Sequence, residues 1–574
     1  MIRSSRLQDF LYPAIAIVIT ALVWQGSRLC GFTADDYMVI HVQSPIRSFT
    51  DVISMFWRTD PNPQYWRPLT NSSVSFDFWL RGYDPGGFHQ TNLILHCLAT
   101  ILIYHFTRRV FRLTAAVALV VAVCFGVSAS HDSNLLWIAA RSDVIATIMM
   151  LSTLLAAYKA ERSPSQLLWS ILSYAFFFLS LCSKEVNGVG IALLPLIIYT
   201  SSPKELWQKK ISILKKLVPY IVLTAIFIAI RLQFTVPLAE MQPLTAEGSR
   251  SITAFAKNFF YSIGYIVMPI DFATASAIIN EYLLYGVVTA ALLIATFALL
   301  LWKFGTKELF SLLYKPLVVT LVMGLVSFQS FERWRVYFPS VGVYALFAII
   351  GYFIWQSTNY RRLKRLCVSI FAVTFIFFHG MQSVINVGVW QKSTEMLSKI
   401  KDDIRTILTE HPKRPIMLNF VLSPIKLGGA PIMQLSQSYT AIMAEAERLK
   451  LPSLAYGSLG TLPDSVWLVT SVDAYALHPD VGFSSLQTKQ LDSATLEVKC
   501  YPKFIGLQPN ASLADGVARR DRVYKDGDIV ETYGTTVKIL GAQGAFTSHA
   551  IITVKDTAGL PIYYDGNIVR TIGW

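Results

Sequence analysis

The chain has 574 residues, 53% of them hydrophobic and 15% charged, and its mean hydropathy is +0.46. A water-soluble fold, with about a quarter of its residues charged, is excluded by so apolar a composition. The formal charge of +14 would alone suggest nucleic acid, but in a membrane protein basic residues are read loop by loop as a record of orientation, and no nucleic-acid partner is expected.

Apolar runs of about 16–20 residues recur between Leu11 and Gly388, close to the helix length that crosses about 30 Å of hydrocarbon. Spans are predicted at 11–29, 91–107, 114–130, 143–159, 166–182, 187–201, 217–236, 284–302, 316–330, 340–357 and 366–387. The first run has no small-x-small cleavage site in Ser27-Arg28-Leu29-Cys30 and is expected to remain as an uncleaved span. Arg3 and Arg6 precede it, Arg108, Arg109 and Arg112 follow the second span, and Lys159 and Arg162 follow the fourth. Lys204, Lys209, Lys210, Lys215 and Lys216 come after the sixth, then Lys303, Lys307 and Lys315, then Arg361, Arg362, Lys364 and Arg365. All these clusters are cytoplasmic together only if the N-terminus is inside and the chain crosses about eleven times. The expected fold is a polytopic α-helical membrane domain over 1–389 and an exoplasmic soluble domain over 390–574.

The first exoplasmic loop, 30–90, is long for a plain connection. Within it Ile46, Phe49, Val52, Ile53, Phe56 and Trp57 recur at helical spacing, as in a helix lying along the membrane face, and an aromatic-rich stretch runs from Leu69 to Leu80. Another exoplasmic loop, 237–283, carries the shorter apolar run 253–270, which charge parity keeps outside as a re-entrant or interfacial helix. Beyond Trp390 a helical pattern persists to about Leu408. Alternating stretches at 416–420, 466–469, 536–540 and 550–554 then predict strands of a mixed α/β or β-rich domain, with turns at Lys525-Asp526-Gly527-Asp528 and Tyr564-Asp565-Gly566. Cys500 is the only cysteine of this tail, so no disulfide framework forms within it.

Ionisable residues at span ends mark sites because burying them is costly. Parity places one set at the exoplasmic face: Asp35 and Asp36 past the first span, Tyr65 and Arg67 in Tyr65-Trp66-Arg67-Pro68-Leu69, and His89, Asn92 and His96 at the second span. Asp132, Arg141 and Asp143 lie between the third and fourth, Lys184 and Glu185 after the fifth, and Glu332, Arg333 and Arg335 after the ninth. Arg and Lys bind phosphate through charge-assisted hydrogen bonds, and a carboxylate takes a proton from an attacking hydroxyl. The combination fits a reaction on a phosphate-bearing lipid. Each group also has a plainer reading: a solvated helix end for the acidic pair, packing rather than zinc for His89 and His96, mutual pairing for Arg141 and Asp143, an interfacial anchor for Lys184-Glu185. The set carries the chemistry, and no member does so alone.

In order, Phe32-x-x-Asp35-Asp36-Tyr37, Tyr65-Trp66-Arg67-Pro68-Leu69, Phe88-His89-x-x-Asn92-x-x-x-His96, Ala140-Arg141-Ser142-Asp143, Ser183-Lys184-Glu185 and Glu332-Arg333-x-Arg335-x-Tyr337-x-Pro339-Ser340 resemble the C-type (GT-C) glycosyltransferase superfamily. The nearest likeness is to the protein O-mannosyltransferases and the tetratricopeptide-bearing transmembrane O-mannosyltransferases, over about residues 1–390. The resemblance implies a multispan enzyme that takes a sugar from a polyprenyl-phosphate donor and passes it, by one inverting displacement, to a hydroxyl of a protein, glycan or lipid acceptor. Carried across, Asp35 or Asp36 is the base, with Asp35 favoured as the first of the pair. Arg67, Lys184, Arg333 and Arg335 hold the lipid phosphate, and Tyr65, His89, Asn92, Arg141, Asp143, Glu185 and Glu332 line the cleft. Some superfamily members need a divalent metal, for which Asp35, Asp36 and Asp143 could supply oxygen ligands. Three features depart from the relatives: Asp132 follows His131 where a proline is common, the tetratricopeptide tail of the one group is absent, and so is a clear copy of the extra lumenal domain of the other. The expected setting is a bacterial inner membrane, with the site and the tail periplasmic. The alternatives are a transporter or lipid flippase, which calls for charges through the membrane depth and inverted-repeat halves, and a non-catalytic membrane scaffold.

Overall fold

The computed structural model describes residues 6–33, 36, 39–40, 46, 48–58, 65–200, 207–235, 252–269, 295, 307–325, 333–356 and 360–410, and, in the tail, the strands between 417 and 571 with short flanking stretches. The helices are α1 (Arg6–Trp24, continued by a 3-10 turn to Leu29), α2 (Phe49–Ile53), α3 (Pro68–Arg81), α4 (Pro85–Arg109), α5 (Ala115–Gly126), α6 (Asp132–Leu136) and α7 (Arg141–Ala160). They continue as α8 (Gln166–Ser183), α9 (Lys210–Phe234), α10 (Ile252–Val267), α11 (Lys307–Gly324), α12 (Pro339–Gln356) and α13 (Arg361–Glu410). Their starts follow local chemistry. Ser48 and Asp51 form a reciprocal capping box on α2. Pro68 and Pro85 open α3 and α4, where a missing N–H is harmless. The Asp84 and Thr114 side chains accept from the otherwise unpaired N–H groups of Gly86 and Val117.

Among the described residues six helical stretches are long and apolar enough to cross a membrane: Leu7–Leu29, Ile138–Ala160, Gln166–Ser183, Lys210–Phe234, Pro339–Gln356 and Arg361–Ile404. The pair Ala115–Gly126 and Ala129–Leu136, bent by 49°, makes a seventh if it is one span. On α9 and α13 the residues Ile211, Leu214, Val218, Ile370, Phe371 and Phe377 are exposed, a surface that suits lipid and not water.

The predicted spans are met unequally. The second is α4, 25 residues long, which His89, Asn92, His96 and the terminal Arg108-Arg109 remove from the apolar set. The sixth departs from a regular α-helix: Glu185–Ala192 winds as a 3-10 helix and Leu194–Ile198 as a π turn. Pro195 lacks an N–H at that point, and so interrupts the ladder an α-helix needs. The ninth, predicted at 316–330, is α11, whose apolar part is the shorter stretch Leu309–Gly324. The eighth, 284–302, lies outside the described residues apart from position 295. The run at 253–270 forms α10, and the two loop stretches after the first span form α2 with the following 3-10 turn and α3.

Small residues bring the helices together. Ser173, Ser180 and Ser183 of α8 donate to the Thr153, Ala146 and Ser142 carbonyls of α7 (2.9, 3.1 and 3.1 Å), fastening an antiparallel pair along its length. Between α11 and α12 a Cβ on Gly342 would run into Thr320 Oγ1 and the Pro316 carbonyl.

The tail's strands are β1 (Met417–Leu422), β2 (Pro424–Leu427), β3 (Ala430–Pro431), β4 (Trp467–Thr470), β5 (Tyr475–Leu477), β6 (Leu486–Gln490), β7 (Thr495–Cys500), β8 (Ile529–Thr532), β9 (Thr535–Gln543), β10 (Phe546–Val554), β11 (Leu560–Tyr564) and β12 (Val569–Thr571). They form a mixed sheet β12-β11-β1-β4, an antiparallel sheet β6-β7-β10-β9-β8 and a small sheet β3-β2-β5. Alternate residues Leu496 and Val498, Val537 and Ile539, and Ala550 and Ile552 are buried, the period of two that marked these strands in the sequence. α13 is 50 residues long, about 75 Å at 1.5 Å per residue and so more than twice the roughly 30 Å of hydrocarbon. Its far end meets the tail, where Asp403 accepts the Val569 N–H at 2.9 Å.

Candidate active site

The ion pairs of the helical domain divide between opposite ends of the helices. At one end Arg108 of α4 meets Asp9 of α1 (3.6 Å), Lys216 of α9 meets Glu161 after α7 (2.5 Å), and Lys315 of α11 donates to the Val110 carbonyl (3.0 Å). These groups come from the basic clusters predicted to be cytoplasmic. The other end joins the segment after α1, the starts of α4 and α7 and the end of α8, and it holds Asp36, Arg67, His89, Asn92, Arg141, Asp143, Lys184 and Glu185 of the predicted site residues.

Asp36 is 0% exposed. Its Oδ2 accepts the Thr33 N–H (3.2 Å) and its Oδ1 the Ala139 N–H (3.0 Å), which ties the segment after α1 to the turn before α7. Burial pushes its carboxyl up to about 7, against the pull of the Ala139, Thr33 and Ile138 N–H groups and of the Arg141 charge. Asp35, like Glu332, lies outside the described residues. His89 is buried, with Nε2 3.3 Å from the Gly31 carbonyl.

Arg141 is wholly buried and spends its donors on protein. Nη1 meets Asp77 Oδ2 (2.6 Å) and the Ser73 carbonyl (3.2 Å), Nε donates to Asn92 Oδ1 (2.6 Å), and Nη2 donates to the Phe88 carbonyl (2.9 Å). One guanidinium thus joins α3, α4 and α7 beneath the site, and Asn92 adds a bond to the Leu135 carbonyl (3.0 Å). The Arg141–Asp143 pair weighed from the sequence is not formed, because residues two apart on a helix face different sides. Asp143 meets Lys184 instead, at 2.5 Å.

Lys184 ends α8 in a buried position. Burial lowers its proton affinity, Asp143 raises it, and the neighbouring Arg67 and Arg335 charges lower it further. Arg67 stacks over Tyr65 (4.0 Å) and grips Glu185 with two hydrogen bonds, at 3.0 and 2.9 Å. Burial works against the Glu185 charge, but Arg67 and then Arg231 outweigh it and hold this carboxyl at about 2. From Glu185 an open groove of about 560 Å³ runs between α9 and the Glu185–Ile198 segment, lined by Leu181, Ile191, Ile221, Phe227 and Ile228, with Glu185 and Arg231 its only charged residues among those described. Trp66 seats the first loop against α9 by packing on Phe234 and Phe227, both at 5.6 Å.

Arg333 lies 3.4 Å from Asp132. His96 is hydrogen-bonded within the bundle, its Nδ1 to the Tyr337 hydroxyl (2.7 Å) and its Nε2 to the Gly126 carbonyl (3.0 Å). Among the described residues no group of three or more His, Cys, Asp or Glu is placed to hold a metal ion. Asp36 faces N–H donors and Asp143 an ammonium, which is not the donor set a cation takes, so no step is routed through one. Three residues at this end, Asp77, Arg231 and Asn386, are not singled out by the sequence reading, which places Asp132 at this face without a role. Asp77 and Arg81 stand four apart on α3, at 3.8 Å, and Arg231 is the only charge in the predicted span 217–236; both signals are legible in the sequence.

No protein-family model matches the chain. Mus musculus protein O-mannosyl-transferase TMTC1 is 30% identical over 216 residues, covering 33% of this chain and 22% of that protein. The chain is similar to O-mannosyl-transferases. Homo sapiens TMTC3 is 23% identical over 188 residues (30% of this chain, 20% of that protein), and Drosophila melanogaster Tmtc3 24% over 217 residues (33% and 23%). The chain therefore spans about a fifth of the length of these curated relatives. They carry the family name to which the six ordered motifs pointed. Among solved structures, ArnT from Cupriavidus metallidurans bound to undecaprenyl phosphate superposes with a TM-score of 0.40 at 14% identity, over 76% of this chain and 87% of that one. The archaeal oligosaccharyltransferase AglB from Archaeoglobus fulgidus, in complex with an inhibitory peptide and a dolichol-phosphate, gives 0.39 at 12%, over 77% and 64%.

Proposed function

We propose that the protein is a GT-C membrane glycosyltransferase that transfers a sugar from a polyprenyl-phosphate donor to a hydroxyl acceptor at the exoplasmic face. One observation carries this reading: Glu185 and Arg231 line an apolar groove, Arg67 pairs with Glu185 and acts electrostatically on Lys184, and two of the groove's lining residues, Ile221 and Ile228, are also exposed on α9. Charge beside an open apolar groove is what an anionic headgroup on a long hydrocarbon chain requires. The names of the sequence relatives support glycosyl transfer and make mannose the first sugar to test.

In the proposed step the Asp35 carboxylate takes the proton of the acceptor hydroxyl, and the hydroxyl oxygen attacks the anomeric carbon opposite the phosphate. The bond from that carbon to the phosphate oxygen breaks, its electron pair leaves with the lipid phosphate, and the configuration inverts. Arg67, Lys184, Arg333 and Arg335 neutralise the departing charge, while Glu185 and Asp143 hold Arg67 and Lys184 between turnovers. Asp36, with both oxygens on backbone N–H groups, positions the acidic segment and leaves proton removal to Asp35. The same reading takes 1–389 as the catalytic membrane domain, with the N-terminus inside and about eleven spans, and 390–574 as an exoplasmic domain that shapes acceptor access. A bacterial inner membrane with a periplasmic site is the corresponding setting.

The test supplies purified protein with labelled polyprenyl-phosphate mannose, and related donors, together with a panel of hydroxyl acceptors. Transfer is expected, and Asp35→Asn should lower kcat by about 100-fold or more, the worth of a general base, at an unchanged melting temperature. Undiminished turnover in Asp35→Asn overturns the choice of base, and transfer from no polyprenyl-phosphate sugar overturns the function.

A further inference from the structure

Asp132 is a buried acid to which the function above gives no part. Its side chain is 2% exposed, and it draws donors from several elements. The Ser133 N–H reaches Oδ1 at 2.6 Å, and the Tyr265 hydroxyl of α10 lies 3.5 Å from the same oxygen. Arg333, in the 3-10 turn before α12, reaches Oδ2 at 3.4 Å, and Asn386 Nδ2 of α13 reaches it at 3.1 Å. The Tyr265 ring lies 5.5 Å from the Arg333 guanidinium, so that cation is held by a carboxylate and by an aromatic ring.

Asn386 belongs to a bonded face of α13. Gln382 donates to its Oδ1 (2.9 Å), Ser383 donates to the Val127 carbonyl (2.9 Å), Gln391 to the Gly26 carbonyl (2.9 Å), and Thr394 accepts the Gly31 N–H (3.1 Å). These residues fasten the helix that leads to the tail onto the segments following α5 and α1. Asp132 stands where the two constructions meet.

We propose that Asp132 is a positioning residue that holds the Arg333 guanidinium in place for the donor's lipid phosphate and, through Asn386, links that guanidinium to the tail-bearing helix. The proposal rests on the glycosyltransferase reading above. An arginine side chain loses rotamer freedom when it binds an anion, and a fixed carboxylate partner takes that loss before the donor arrives. Because a guanidinium has five N–H donors, pairing along one edge does not prevent it from meeting a phosphate oxygen along another.

The experiment uses the full-length protein and a labelled polyprenyl-phosphate sugar, measuring kcat and the donor KM separately. Asp132→Asn should raise the donor KM about 10-fold, the loss of one charge-assisted hydrogen bond, with kcat nearly unchanged. Asn386→Leu, which leaves the Asp132–Arg333 pair in place, should raise it less. In an Arg333→Gln background Asp132→Asn should add little, because its effect passes through the guanidinium. Full additivity of those two changes, or a fall in kcat at unchanged donor KM, overturns the proposal. If Asp132→Asn does not fold, Asn386→Leu decides: a wild-type donor KM there overturns it too. Turnover by the wild-type chain with an unaltered KM in Asp132→Asn sinks the role of Asp132 alone, whereas no use of any polyprenyl-phosphate sugar sinks that role and the function together.

Discussion

A carboxyl whose two oxygens are both occupied by backbone N–H groups, as in Asp36, has little room to follow a substrate, and its burial leaves a signature in pH. Its folded-state value of about 7 stands above the ordinary 3.8, so between these values the folded chain holds a proton that the unfolded chain releases. The stability it contributes is full below about 4 and is lost as pH rises through 7. Glu185 has the opposite sign: held at about 2 against an ordinary 4.5, it contributes above 4.5 and loses that contribution as pH falls toward 2. Between pH 5 and 8 the melting temperature of Asp36→Asn should therefore fall less steeply with rising pH than that of the wild type. Parallel slopes would remove the buried acid from the account. The types of these residues were legible in the sequence, because a charge beside an apolar run stands out. Their partners were not. Arg67 meets Glu185 118 positions away and Lys184 meets Asp143 41 positions away, and such pairs depend on which helices pack together, which no local pattern records.

Elements were legible where periodicity and length agree. The runs that became α7, α8, α12 and α13, the helix after Trp390 and the alternating stretches within β1, β4, β9 and β10 all have the period of the structure they form. The run 187–201 misleads because apolar composition alone does not reveal that Pro195 breaks the hydrogen-bond ladder. Close helix approach leaves a different trace, a single small residue. At Gly342, where a Cβ meets Thr320 and the backbone of Pro316, Gly342→Leu should destabilise the α11–α12 pair by about 1–3 kcal/mol or more, as overpacking does. Thermal unfolding in detergent measures it, and a wild-type midpoint would mean that the two helices can move apart freely.

At the scale of the whole molecule, Arg108, Lys216 and Lys315 lie, among the described residues, at the end of the bundle opposite Asp36, Arg141, Lys184 and Glu185. The proposed orientation, with the N-terminus inside, can be tested directly. With the six native cysteines replaced by serine, a membrane-impermeant maleimide should label Arg58→Cys, in the first loop, in intact cells and should label Arg162→Cys, beyond α7, only after permeabilisation. The reverse pattern would invert the topology and place the candidate site in the cytoplasm. α13 also gives the molecule a geometry that can be counted in residues. Because the helix is unbroken from Arg361 to Glu410, one residue added between Thr394 and Asp403 would swing the tail about 100° around the helix axis and lift it about 1.5 Å. Seven added residues would bring it nearly back to its original bearing, about 10 Å further out. The direction the tail faces and the height at which it stands are two settings of one helix, and a change in length alters them with different periods.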